Sequence, residues 1–134
     1  MIDNNLILSH EQPETATGGH VSTNLIDTGA VASSIGWGEP LFLNFGVHTL
    51  FESAGAPTTV VALTDCATIG GGYAVIAESF PFALATLKVG FLWTVGIPSY
   101  HLQYLQGLYT IAVTTYTAGK LHCWIGREQY RKLA

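Results

Sequence analysis

Asp27 stands in NLIDTGAVASSI, residues 24 to 35, where an apolar pair runs into Asp-Thr-Gly-Ala and a Ser follows downstream. A carboxylate on such a loop can act as general base if a second carboxylate about 3 Å away shares its proton. One Asp-Thr-Gly per chain supplies half of that dyad, so the chemistry requires a symmetric dimer. The alternative is structural: Asp27 ends a strand and its side chain accepts backbone N–H bonds through Thr28 and Gly29, as Asp does in turns.

Two further runs extend the catalytic reading. TIGGGYAV resembles the glycine-rich flap of retroviral-type aspartic proteases, and CWIGREQYRKL resembles the apolar-Gly-Arg segment after their last strand. The spacing opposes it: about forty residues separate Asp27 from Gly70, and about a hundred separate it from Gly126. Both gaps exceed what a compact protease of that type uses, and short glycine matches arise readily in a chain with 15 glycines. The expected role of Asp27 is therefore the turn.

Other chemistry is thinner. Gly36-Trp37-Gly38 precedes a strand and no helix follows, whereas a phosphate loop must open a helix. Gly36 and Gly38 are read as a turn or bulge, with Pro40 at the first strand position. His10, His20, His48, His101 and His122 show no close ligand spacing, so no metal or other cofactor is expected. Cys66 and Cys123 do not make a disulfide framework, and Cys123 alternates with Leu121 and Ile125 as a small core residue. Trp37, Trp124 and several tyrosines would suit sugar stacking, but in sheets such residues more often serve packing or an interface.

The elements that must carry these residues are strands. Runs rich in Val, Ile, Thr, Tyr and Phe recur between Gly, Pro and Ser clusters, and helix periods are nearly absent. Strands are predicted over 21–26, 40–48, 58–65, 73–78, 84–88, 91–97, 101–114 and 119–125. Alternation places Leu41, Leu43, Phe45 and Val47 on one face of the second strand, and Phe91, Trp93, Val95 and Ile97 on one face of the sixth. Residues 10–20 are polar enough for a loop or mobile arm. Eight short strands at this spacing predict an all-β sandwich or barrel.

Composition narrows the function. The chain has 134 residues, enough for one domain with its own core, and only 10% are charged against a usual value of about 25%. Hydrophobic residues make up 49%, and the outward faces of predicted strands keep Phe42, Leu92 and Trp124. This predicts a surface covered by a partner or a second copy. A net charge of −4 argues against nucleic acid as partner. Residues 89–119 carry no formal charge, yet His101, Gln103, Gln106 and Pro98 interrupt them, so no membrane segment is expected. No secretory signal is visible.

Read as a whole, two long segments resemble the jelly-roll capsid cement, or decoration, proteins of short-tailed bacteriophages. VSTNLIDTGAVASSIGWGEPLFLNFGV carries the pattern at Ser22, Thr23, Asn24, Ile26, Asp27, Gly29, Ile35, Gly36, Gly38, Glu39, Pro40 and Leu41. LATLKVGFLWTVGIPSYHLQYLQGLYTIAVTTYTAGKLHCWI carries it at Pro98, Tyr104, Leu105, Tyr109, Thr117, Ala118, Gly119 and Lys120. The chain departs from it at Gln103, where the family often has Arg, and at His122 and Trp124, where it has aliphatic residues.

The resemblance implies a single jelly-roll sandwich of about eight antiparallel strands, with an N-terminal arm over 1–20 and a basic tip over 126–134. It implies a non-enzymatic protein on the outer capsid of a virion assembled in the host cytoplasm, bridging neighbouring major capsid proteins. A homodimer is the expected assembly, with a trimer as the other option. Contacts to capsid or sister subunits are expected from Leu6, Ile7 and Leu8 and from Arg127, Tyr130, Arg131 and Lys132.

Overall fold

A computed structural model describes residues 6–27, 41–98 and 101–126. Nine strands run through them: β1 (Ile7–Pro13), β2 (Gly18–Asp27), β3 (Phe42–Glu52), β4 (Thr58–Cys66), β5 (Ala74–Glu78), β6 (Phe82–Ala83), β7 (Leu92–Gly96), β8 (Tyr104–Ala112) and β9 (Ala118–Gly126). They form two antiparallel sheets, one in the order β1-β9-β3-β7 and the other β2-β8-β4-β5, with β6 also on β4. The expected all-β sandwich of jelly-roll type is the observed fold.

Alternation builds its core. Leu43, Phe45 and Val47 of β3 and Leu121, Cys123 and Ile125 of β9 point inward from the first sheet. Val61 and Leu63 of β4 and Leu105, Tyr109 and Ile111 of β8 meet them from the second. Phe45 stacks on Phe82 at 6.0 Å between ring centres, and Phe82 takes the edges of Phe91 and Trp93. Phe91, Trp93, Val95 and Ile97 pack against this core together, as their alternation predicts.

Four expectations need correction. Residues 10–20 are not a loop: residues 7–13 form edge strand β1 on β9, and 18–20 open β2 on β8. Between the two strands, Glu14 N–H donates to the Gly119 carbonyl and Tyr116 N–H to that of Thr15, so the segment is tied down. Leu8, expected at a partner contact, is fully enclosed in the core, while Leu6 and Ile7 are half-buried.

The predicted strand over 84–88 is instead a chain of turns. Thr86 N–H donates to the Ala83 carbonyl, Leu87 N–H to that of Leu84, and Lys88 N–H to that of Thr86. Leu84 and Leu87, three residues apart, reach the core from those turns. Strand β8 also begins at Tyr104, because Leu102 N–H is held by the buried Asp65 carboxylate at 2.9 Å instead of a neighbouring strand.

Candidate interaction surface

Asp27 is the last residue of β2 and lies exposed, with Gln103 Nε2 donating to its Oδ1 at 2.9 Å. The glycine run 70–72 forms an exposed turn with Gly70 at φ +75°. Gly29, Gly36, Gly38 and Pro40, named for turns, and Arg127, Tyr130, Arg131 and Lys132, named for contacts, lie outside the described residues. Cys66 and Cys123 are buried free thiols, and burial pushes Cys123 up to about 12, a protonated and inert group at neutral pH.

A buried polar seam joins the two sheets where β1 meets β2. Tyr109 OH and the Ser9 hydroxyl share a hydrogen bond of 2.7 Å, and Ser9 donates to Gln12 Oε1. That same oxygen accepts Thr23 N–H and Thr23 Oγ1 at 2.8 Å each. Gln12 Nε2 donates to the Val21 carbonyl at 3.0 Å and to Glu14, whose other carboxylate oxygen pairs with His20 Nδ1. Burial, with Cys123 next in effect, holds Tyr109 well above the ordinary phenol range. Every member finds a partner, which is what lets Ser9, Gln12 and Glu14 stay buried.

A second cluster lies on the outer face of the first sheet. The histidines that sequence spacing left scattered partly converge: His122 of β9 has His10 of β1 at 5.0 Å and His48 of β3 at 4.8 Å between ring centres. The Glu11 carboxylate reaches His48 Nε2 at 3.0 Å through Oε1 and His10 Nε2 at 3.2 Å through Oε2. Glu11 N–H donates to His122 Nδ1 at 3.3 Å. Among the described residues no group of three or more His, Cys, Asp or Glu could hold a metal ion. Sequence spacing could not show this cluster, because strand pairing brings its members together.

The outer face of the second sheet is different in kind. Directly paired residues share a face, so Val21, Leu108 and Ala62 form one row and Leu25, Gln106, Thr64 and Val75 another. Gly19, Thr110 and Val60 make a third, and Tyr104 and Cys66 lie beyond. Among the described residues the formal charges on this face, Asp27 and Glu78, lie at its margins. Val21 and Val75 are about half exposed at its edges, at 53% and 49%, whereas Ala62, Thr64 and Cys66 on the central strand β4 are buried.

A family model described as Bbp16 matches residues 8–125. The chain belongs to the Bbp16 family. The match begins inside β1 and ends inside β9, so the Bbp16 region includes the polar seam, the histidine cluster and both outer faces. Among solved structures, the chain is similar to the CBM22-1–GH10 modules of the Clostridium thermocellum endo-1,4-β-D-xylanase 10B complexed with xylohexaose. Identity is 11% and the TM-score 0.39, over 96% of this chain and 30% of that one. This chain thus spans under a third of that protein's length. No curated protein sequence matches it.

Proposed function

We propose that this Bbp16-family protein is a non-enzymatic capsid cement protein that binds the outside of an assembled phage shell and bridges neighbouring major capsid proteins. The observation that carries the reading is the part of the second sheet's outer face left accessible around the buried Ala62, Thr64 and Cys66: Val21, Val60, Gln106, Leu108 and Val75 are apolar or neutral, and the formal charges of its described residues lie at the rim. Such a face suits docking against another protein, since charged residues are depleted at the centres of interfaces.

The sequence resemblance supports the same reading, because the cement-protein pattern runs through β2 and from β7 to β9, the strands that frame this face and its opposite sheet. A rigid sandwich presents its area to several subunits at once, and a symmetric dimer would multiply weak contacts into avidity. The basic tip at Arg127, Tyr130, Arg131 and Lys132, with Leu6 and Ile7 at the other end of the chain, is a second proposed contact.

Cosedimentation with capsids of the phage that encodes the chain tests this. Leu108 lies half-buried in the middle of the face, so Leu108→Glu should abolish capsid binding while the isolated protein keeps its fold. Undiminished binding would remove the face from the proposal. A wild-type protein that cosediments with no such capsid would remove the function itself. Deleting residues 127–134 with no loss of occupancy would remove the tip.

A further inference from the structure

We propose that the cluster of His10, Glu11, His48 and His122 is a proton-operated clasp on the N-terminal strand, closed while His122 is neutral and opened when His122 takes up a proton. The rings come together because both neighbours of β9 are irregular beside His122. On one side β3 carries an extra residue between Val47 and Thr49, and that residue is His48. On the other side β1 carries an extra residue between Ser9 and Gln12, and Glu11 lies within it at φ +50°. Bulges re-aim side chains, and a glutamate in the left-handed region costs about 1 kcal/mol that a plain edge strand would avoid.

The bond from the Glu11 N–H specifies a neutral His122. His122 Nδ1 accepts the Glu11 N–H, so its proton is on Nε2. His48 and His10 turn their Nε2 atoms to the single Glu11 carboxylate, and Thr49 Oγ1 lies 3.0 Å from His48 Nδ1. When His122 takes a proton from solvent at Nδ1, the lone pair that held the Glu11 N–H is gone and two N–H groups face each other. The charged His122 ring then lies about 5 Å from both the His10 and the His48 ring, and Lys120, exposed on the same face of β9, adds a positive group beside it.

Among the described residues the charged groups facing His122 are therefore His10 and Glu11 from β1, His48 from β3 and Lys120 from β9. Burial first, then His48 and His10, lower the His122 pKa from its ordinary 6.5, against a smaller opposite pull from Glu11. A folded value below the unfolded one means that the clasp contributes fully above the unfolded value and is lost as pH falls through it toward the folded value. Opening would free β1, exposing the β9 edge and the core slot of Leu8.

Amide exchange of residues 7–12, referenced to β4 and corrected for intrinsic rates, tests the clasp in the wild-type protein at about pH 7.5 and about pH 5.5. Protection of β1 should fall severalfold at the lower pH, the direction expected for a group whose folded pKa lies below its unfolded one. His122→Asn keeps an acceptor near Nδ1 and cannot titrate, so its β1 protection should not change with pH. That variant also separates the clasp from His20, which pairs with Glu14 next to the same strand.

Equal wild-type protection at both pH values would overturn the proposal, as would a pH dependence that survives in His122→Asn. Should that variant fail to fold, the ring resonances of wild-type His122 decide. Titration below 6.5 supports the clasp, and titration at or above it overturns the clasp. None of these outcomes depends on whether the protein binds a capsid.

Discussion

Gly119 sits at φ +150° beside the ring of Phe51, so close that a Cβ built on it would lie 2.3 Å from Phe51 Cδ1. Phe51 is itself buried, with its ring edge-on to Tyr116 at 4.9 Å, and Tyr116 OH shares a 2.6 Å hydrogen bond with Thr59. The ring thus has little room to retreat. Gly119→Ala must strain the backbone and displace a packed aromatic, and a loss of about 3 kcal/mol in unfolding free energy, read by urea titration, is expected. Gly119 belongs to the Thr-Ala-Gly-Lys pattern seen in the sequence, and the structure supplies its physical reason.

At the scale of elements, β1 is where sequence reasoning fell short, and the reason is chemical. Its inward residues are Leu8, Ser9 and Gln12, of which only Leu8 reads as core, while the other two are buried in a hydrogen-bonded seam that an apolar pattern cannot reveal. Two register shifts against β9 then break the period-two signal over seven residues. By contrast β3, β4, β7 and β9 were legible, because Leu43, Phe45 and Val47 or Leu121, Cys123 and Ile125 alternate without interruption. The turns over 84–86 misled for the converse reason: Leu84 and Leu87 look like strand residues but reach the core from turns. If β1 is an integral strand and not an arm, Leu8→Ala should cost about 3 kcal/mol, within the range for emptying a leucine site in a core. A substitution in a loose arm would cost close to nothing, and thermal or urea unfolding of the one variant separates the two.

For the whole molecule, the two proposed ways of meeting a shell make different demands on the solvent. The outer face of the second sheet carries neutral rows from Val21 to Ala62 and from Leu25 to Val75, with its charges at the rim. The C-terminal tip concentrates three of the chain's five basic residues in Arg127, Arg131 and Lys132. Contacts between exposed charges weaken as salt shortens the screening length from about 10 Å at 0.1 M to a few ångströms near 1 M. Apolar burial does not weaken under the same change. If the face supplies most of the affinity, capsid occupancy measured by cosedimentation should hold within about threefold from 0.1 M to about 0.5 M sodium chloride. Deleting residues 127–134 should then lower occupancy at the lower salt while leaving it nearly unchanged at the higher. Occupancy that collapses with salt, and becomes salt-independent once the tip is removed, would instead place the main contact on the basic residues and reduce the sheet face to a scaffold that presents them.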